Sequence, residues 1–108
     1  MRATLLVSIC FLGPAVAGAQ GMRPSDVNAL PESPLTATDK YGKEDLQFGE
    51  LRLPAGPGPF PIAVVIHGGC WTKGFATLRN TAPIASALTV KGIATWNIEY
   101  RQVGDAGA

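Results

Sequence analysis

Six residues, Pro61-Ile62-Ala63-Val64-Val65-Ile66, make an unbroken apolar run rich in β-branched side chains, and the run stops at His67-Gly68-Gly69. Such a run suits a strand buried on both faces, as in a parallel sheet whose two sides are covered by helices. Further on, Thr81 or Ala82 can begin a helix with Pro83 in its first turn. Ile84, Ala85 and Leu88 then share one face, Lys91 falls in the last turn, and Gly92 suits the left-handed position beyond it. Ile93 to Tyr100 reads as a second strand. Parallel strands joined through a helix cross over right-handed in nearly all proteins, so this order of elements builds an α/β sheet.

The 108 residues allow one domain at most. Apolar residues make up 46% and charged ones 16%, with a net charge of +1, which excludes charge-driven disorder and leaves no electrostatic footprint for nucleic acid. The first nineteen residues differ from the rest: Arg2 is their sole charge, Leu5 to Leu12 is apolar, and small residues follow at Ala15, Ala17 and Ala19. This is the layout of a cleavable signal peptide, residues 1–19, with Ala17-Gly18-Ala19 preferred over Ala15-Val16-Ala17 at the cut and Gln20 as the mature start. A membrane anchor is the weaker reading, because Gly13-Pro14 interrupts a stretch near the lower length limit for a span. The expectation is a secreted or periplasmic protein with no stable membrane span after signal removal. Cys10 follows Ile9, where a lipid-attachment site would want a small residue. Without the leader Cys70 is the only cysteine, so no intramolecular disulfide can staple the fold.

Gly21 to Asp39 holds three prolines and no apolar period, and residues 20–40 read as an extended lead-in to a domain spanning 41–108. There, Leu46 and Phe48, then Leu51 and Leu53, alternate with polar neighbours. A shift of phase across Gly49-Glu50 calls for a bulge, a bend or two short strands. Pro54 to Pro59 is a turn, since proline fixes its own φ and removes amide donors.

The candidate chemistry lies in His67-Gly68-Gly69-Cys70-Trp71, at the carboxyl end of the apolar strand, where open α/β sheets place their ligand sites. Acyl transfer gathers negative charge on a carbonyl oxygen, and backbone N–H groups stabilise it only where no side chain blocks the approach, which glycines permit. Gly-Gly after a strand also serves as a plain turn. Cys70 and His67 as a nucleophile and base lack a nearby acid to orient the imidazole, and as metal ligands they lack a further His or Cys; neither use is expected, and no cofactor is implied.

From Leu46 to Arg101, the Pro-rich turn, the apolar strand, the His-Gly-Gly-x-Trp loop and Asn97-Ile98-Glu99-Tyr100-Arg101 resemble α/β-hydrolases, notably the esterase/lipase and kynurenine-formamidase-like branches. The resemblance implies the N-terminal part of an α/β-hydrolase sheet. Gly68, Gly69 and Cys70 would form the oxyanion loop, with the amides of the last two pointing in. His67 would brace the loop, Trp71 would pack beside the acyl pocket, and the substrate would be a small ester or amide. Tyr100-Arg101 reads as a strand end with a structural ion pair.

Such hydrolases need a serine on a Gly-x-Ser-x-Gly elbow, then an acid, then a histidine. After Trp71 the only serine is Ser86, without flanking glycines, and no histidine follows, so the triad is absent. The expectation is an inactive N-terminal fragment of a longer serine hydrolase. One helix for three or four strands leaves one sheet face wet, and with an unpaired edge ending near Tyr100 this predicts aggregation or partial unfolding of the isolated piece. Two rival readings are a small exported module that binds by adding its strand edge to a partner, and one half of a two-chain hydrolase.

Overall fold

The computed structural model describes residues 21–108, so the leader reading of residues 1–19 lies outside the described residues. In chain order the elements are α1 (Pro24–Val27), β1 (Ala37–Lys40), β2 (Phe48–Arg52), β3 (Ile62–Ile66), a 3-10 turn (Leu78–Asn80), α2 (Ala82–Val90) and β4 (Ala94–Ile98). The strands form one sheet in the order β1-β2-β4-β3, with β3 and β4 parallel and the other pairs antiparallel. The architecture is mixed α/β, and β1 comes from the end of the lead-in.

α2 lies where the sequence places a helix, with Pro83 in its first turn and Gly92 beyond it at φ 87°. Its buried face differs from the expected Ile84, Ala85 and Leu88. Ala82, Ala85, Ser86 and Thr89 face inward, whereas Ile84 is exposed. Small residues at this spacing let the helix lie close on β4, and the contact is partly polar. The Thr89 hydroxyl donates to the Ala85 carbonyl at 3.0 Å and stands 3.1 Å from the hydroxyl of Thr95, which is fully buried. The ends of α2 thus follow its proline and glycine, while its packing face is decided by the sheet beneath it.

β3 is not buried on both faces. Ile62, Val64 and Ile66 are each more than half exposed on the face opposite α2, and β3 forms one edge of the described sheet. The strand leading to Tyr100 is not an edge either: β2 docks antiparallel on the free side of β4, so β4 is central. β2 itself runs in continuous register from Gly49–Ile98 to Arg52–Thr95, without a bulge. The shift of phase has two other causes. Gly49 lies under the Trp96 ring, where a Cβ would stand 2.5 Å from ring carbons, and Arg52 takes a covered position that an apolar pattern would give to a hydrophobe.

Arg52 is 1% exposed, and its guanidinium meets Glu50 and Glu32 at 3.1 Å each while Nε donates to the Ser33 carbonyl at 3.3 Å. Glu32 and Ser33 belong to the lead-in, and the Ser33 N–H donates to the Ser86 hydroxyl of α2 at 2.9 Å. One buried cation thus fastens the lead-in to β2, and the Ser33 amide beside it fastens the lead-in to α2. No helix among the described residues is long and apolar enough to cross a membrane.

Removing the Arg52 guanidinium leaves Glu50 without its cation, leaves Glu32 only the more distant Arg79 at 3.6 Å, and opens a void beneath the lead-in. Arg52→Ala is expected to destabilise the chain by about 2 to 4 kcal/mol, read as a lower midpoint in urea unfolding.

Candidate functional site

Backbone groups in an irregular loop must find partners once they leave water, and here the partners come from the end of β4 and the residues beyond it. Asn97, fully buried, donates from Nδ2 to the Leu78 carbonyl at 2.9 Å and accepts the Thr81 hydroxyl at 2.8 Å. Glu99 accepts the Leu78 N–H at 3.0 Å. Gln102 accepts the Gly74 N–H at 3.0 Å and donates to the Ala76 carbonyl at 2.8 Å. These three polar side chains hold the whole segment between the His67 loop and α2.

The same strand end fixes the loop. His67 is buried, with Nε2 at 2.7 Å from Glu99 Oε1 and Nδ1 donating to the Gly68 carbonyl at 2.9 Å. Tyr100 stacks on the imidazole, with centroids 4.3 Å apart and planes 10° from parallel, and its hydroxyl donates to the His67 carbonyl at 2.8 Å. The Gly69 carbonyl accepts the Thr72 N–H at 2.9 Å.

In a trans peptide the N–H points opposite to the preceding carbonyl. Three successive carbonyls, those of His67, Gly68 and Gly69, are engaged, so the amides of Gly68, Gly69 and Cys70 are turned away from those partners. Among the described residues no acceptor meets the N–H of Gly69 or Cys70. The backbone is unusual at this point: Gly69 lies at φ 131°, Cys70 at 51° and Trp71 at 55°. Left-handed backbone at two consecutive side-chain-bearing residues is held by surrounding contacts, here including the Val103 N–H on the Trp71 carbonyl at 2.9 Å.

His67, Gly68, Gly69, Cys70 and Trp71 together line a cavity of about 550 Å³, completed by Ile66, Ile98 and Tyr100. Trp71 is 64% exposed at its rim, and the Cys70 thiol is exposed. A second groove, of about 570 Å³, lies where β4 begins, between Ser33–Thr36, Leu53–Ala55 and Gly92, and carries no ionisable side chain. The chemistry therefore belongs to the loop end. Among the described residues no cluster of three or more His, Cys, Asp or Glu could hold a metal. Ser86 is buried in α2, where it accepts the Ser33 N–H, and His67 is enclosed between Glu99 and Tyr100; neither is placed as nucleophile or base.

Two residues in this arrangement went unread in the sequence as anchors of the loop, Glu99 and Tyr100. The ion pair expected at Tyr100-Arg101 is not formed among the described residues: Glu99 instead hydrogen-bonds His67, and Arg101 donates to the Gly107 carbonyl. An acidic residue near the end of a predicted strand that follows a His-Gly-Gly loop was the available signal. Beyond it, the Asp105 carboxyl is held below the usual carboxylate range, first by the Gln102 N–H and then by Lys73, which it meets at 3.0 Å.

Compared with known proteins, residues 50–108 match the model of the BD-FAE family. No curated protein and no solved structure matches the chain. The matched span runs from β2 to the last residue and contains every residue that lines the loop cavity.

Two outcomes follow from these contacts. Asn97→Leu, close in volume, removes one bond from the Leu78 carbonyl and one from the Thr81 hydroxyl, which keep only their bond to each other and the Thr81 N–H on that carbonyl, and is expected to destabilise by about 1 to 2 kcal/mol in urea unfolding. Because the Asp105 carboxyl is depressed in the folded chain, its contribution is complete above the ordinary carboxylate range and is lost as pH falls through the lowered value. A lower protection factor for the Gln102 amide at acid pH, relative to its intrinsic exchange rate, is the expected readout.

Proposed function

The chain belongs to the BD-FAE family, in the α/β-hydrolase-like esterase group, and from that premise we propose that it supplies the oxyanion-stabilising loop of a serine hydrolase acting on a small carboxylic ester or amide. The observation that carries the reading is the pair of N–H groups at Gly69 and Cys70. Their neighbouring carbonyls are engaged, they meet no acceptor among the described residues, and they border the cavity at the carboxyl end of β3. Preorganised donors of this kind stabilise charge as it develops on a carbonyl oxygen, and they need no reorganisation at the moment of reaction.

In this reading His67 is a brace and not the general base, since both its nitrogens are already engaged. Trp71 flanks the acyl group, and Gly68 keeps the approach to the amides free of a side chain. The nucleophile, acid and base come from outside residues 21–108, so the 108-residue chain is inactive by itself. The leader at 1–19 directs the protein to a secreted or periplasmic location. The finer placement, in the esterase/lipase and kynurenine-formamidase-like branches, rests on the His67-to-Trp71 sequence. No cofactor enters this chemistry.

A second reading has one observation in its favour. Among the described residues β3 is an open edge with Ile62, Val64 and Ile66 exposed beside it, as a module that binds by strand addition would require. That reading needs no amide at Gly69.

The test is to read the source frame beyond the codon for Ala108, express the product, and assay it on a short-chain nitrophenyl ester. We expect a Gly-x-Ser-x-Gly segment followed by an acid and a histidine, and hydrolysis that Gly69→Pro, which removes the amide and cannot adopt φ 131°, lowers about 100-fold or more in kcat/KM. Hydrolysis by the 108-residue chain well above its Gly69→Pro control would overturn the proposal, as would an extended product indifferent to that substitution.

A further inference from the structure

We propose that Glu99 and Tyr100 are positioning residues that set the direction of the Gly69 and Cys70 amides by gripping His67 from two sides. The proposal rests on the acyl-transfer reading for its purpose, but its geometric content stands apart from it.

A Gly-Gly peptide has little preference of its own, so the plane between Gly68 and Gly69 can flip and present a carbonyl where an amide is needed. What opposes the flip is the His67 Nδ1–H on the Gly68 carbonyl at 2.9 Å. That bond holds only while the ring itself is held. Glu99 Oε1 fixes the far nitrogen at 2.7 Å, and the Tyr100 ring lies flat against the imidazole face. The Tyr100 hydroxyl, on the His67 carbonyl at 2.8 Å, fixes the preceding peptide as well. Both residues follow directly on β4, the central strand.

Glu99 is also anchored independently of the loop. Its Oε1 accepts the Tyr100 N–H and its Oε2 the Leu78 N–H, each at 3.0 Å. Two backbone donors and the His67 Nε2 therefore converge on two oxygens. A glutamine has one acceptor oxygen and one NH2 group, so in either orientation it would set a donor against a backbone donor. Glu99→Gln is thus a severe change at this site despite its matched shape. Tyr100→Phe is the milder one, keeping the stack and removing the hydroxyl that donates to the His67 carbonyl and lies 3.5 Å from the Gly68 carbonyl.

The experiment uses the full 108-residue chain, labelled with 15N, as wild type, Glu99→Gln and Tyr100→Phe. Residual dipolar couplings report the direction of the Gly69 and Cys70 N–H vectors, and a titration with sodium formate, a carboxylate that mimics an oxyanion, reports their use. In the wild type we expect saturable formate-induced shifts at those two amides. In each variant their couplings should change while those of Thr38 and Leu51, paired in β1–β2, stay the same, and formate binding should weaken about tenfold, the effect of misdirecting roughly one hydrogen bond. A residue that merely stabilised the strand end would leave the loop couplings unmoved. If Glu99→Gln unfolds, Tyr100→Phe decides. Unchanged Gly69 and Cys70 couplings in a folded Tyr100→Phe variant overturn the positioning role. Changed couplings with no formate response in the wild type uphold the positioning role and overturn the acyl-transfer reading instead.

Discussion

A carboxylate removed from water is tolerated only when donors replace its hydration, because an unpaired buried charge is destabilised by several kcal/mol. Glu99, 5% exposed, is in that position, and the donors it gathers come from three separate parts of the chain: His67 of the loop, Leu78 of the 3-10 turn and its own neighbour Tyr100. The need to satisfy one charge therefore sets the distance between the end of β3, the end of β4 and the start of the helical segment. Asn97 two residues earlier and Gln102 three later act alike with neutral groups. The crossover from β3 to α2 is shaped by this row of polar side chains more than by apolar contact.

That dependence follows from how little apolar material the core contains. The buried hydrophobic side chains among the described residues are Leu78, Ala82, Ala85 and Ala94, while the largest fully buried ones are Arg52, Asn97 and Thr95. Small residues on α2 bring the helix close to the sheet, and close approach leaves room for hydroxyl pairs such as Thr89 with Thr95 but not for a layer of leucines. Meanwhile the bulkier β-branched residues of β3 point to the other face, where Ile62, Val64 and Ile66 remain exposed. A strand composed for burial on both sides is satisfied here on one side only.

The sequence was legible where a local rule decides the outcome. β3 ends at His67 because the β-branched run ends there, and α2 starts near Thr81 and stops at Gly92 because proline and glycine punctuate it. The wet sheet face could be read from the ratio of helices to strands. What escaped was decided by partners distant in sequence. The inward face of α2 depends on β4, so Ile84 looked buried and is not. The unbroken register of β2 depends on Trp96 covering Gly49 and on Glu32 pairing with Arg52, neither of which leaves a periodic trace. Likewise Glu99 and Tyr100 look like an ordinary strand end until the fold sets them against a histidine thirty-odd residues earlier.

The loop shows why these distant constraints matter for chemistry. Glycine alone explains how the chain could adopt φ 131° at Gly69, but it does not explain why the chain stays there, since the same freedom permits the flipped peptide. Cys70 and Trp71 add left-handed backbone that their side chains disfavour. Persistence has to come from contacts beyond the glycines themselves, and the structure supplies them at four of the loop's carbonyls: Tyr100 at His67, the His67 ring at Gly68, Thr72 at Gly69 and Val103 at Trp71. Each engaged carbonyl before Gly69 and Cys70 turns an amide toward the side left without a protein partner. The glycines make the conformation possible and the polar end of β4 makes it the one that is occupied, so the loop's chemistry is a property of the sheet that carries it.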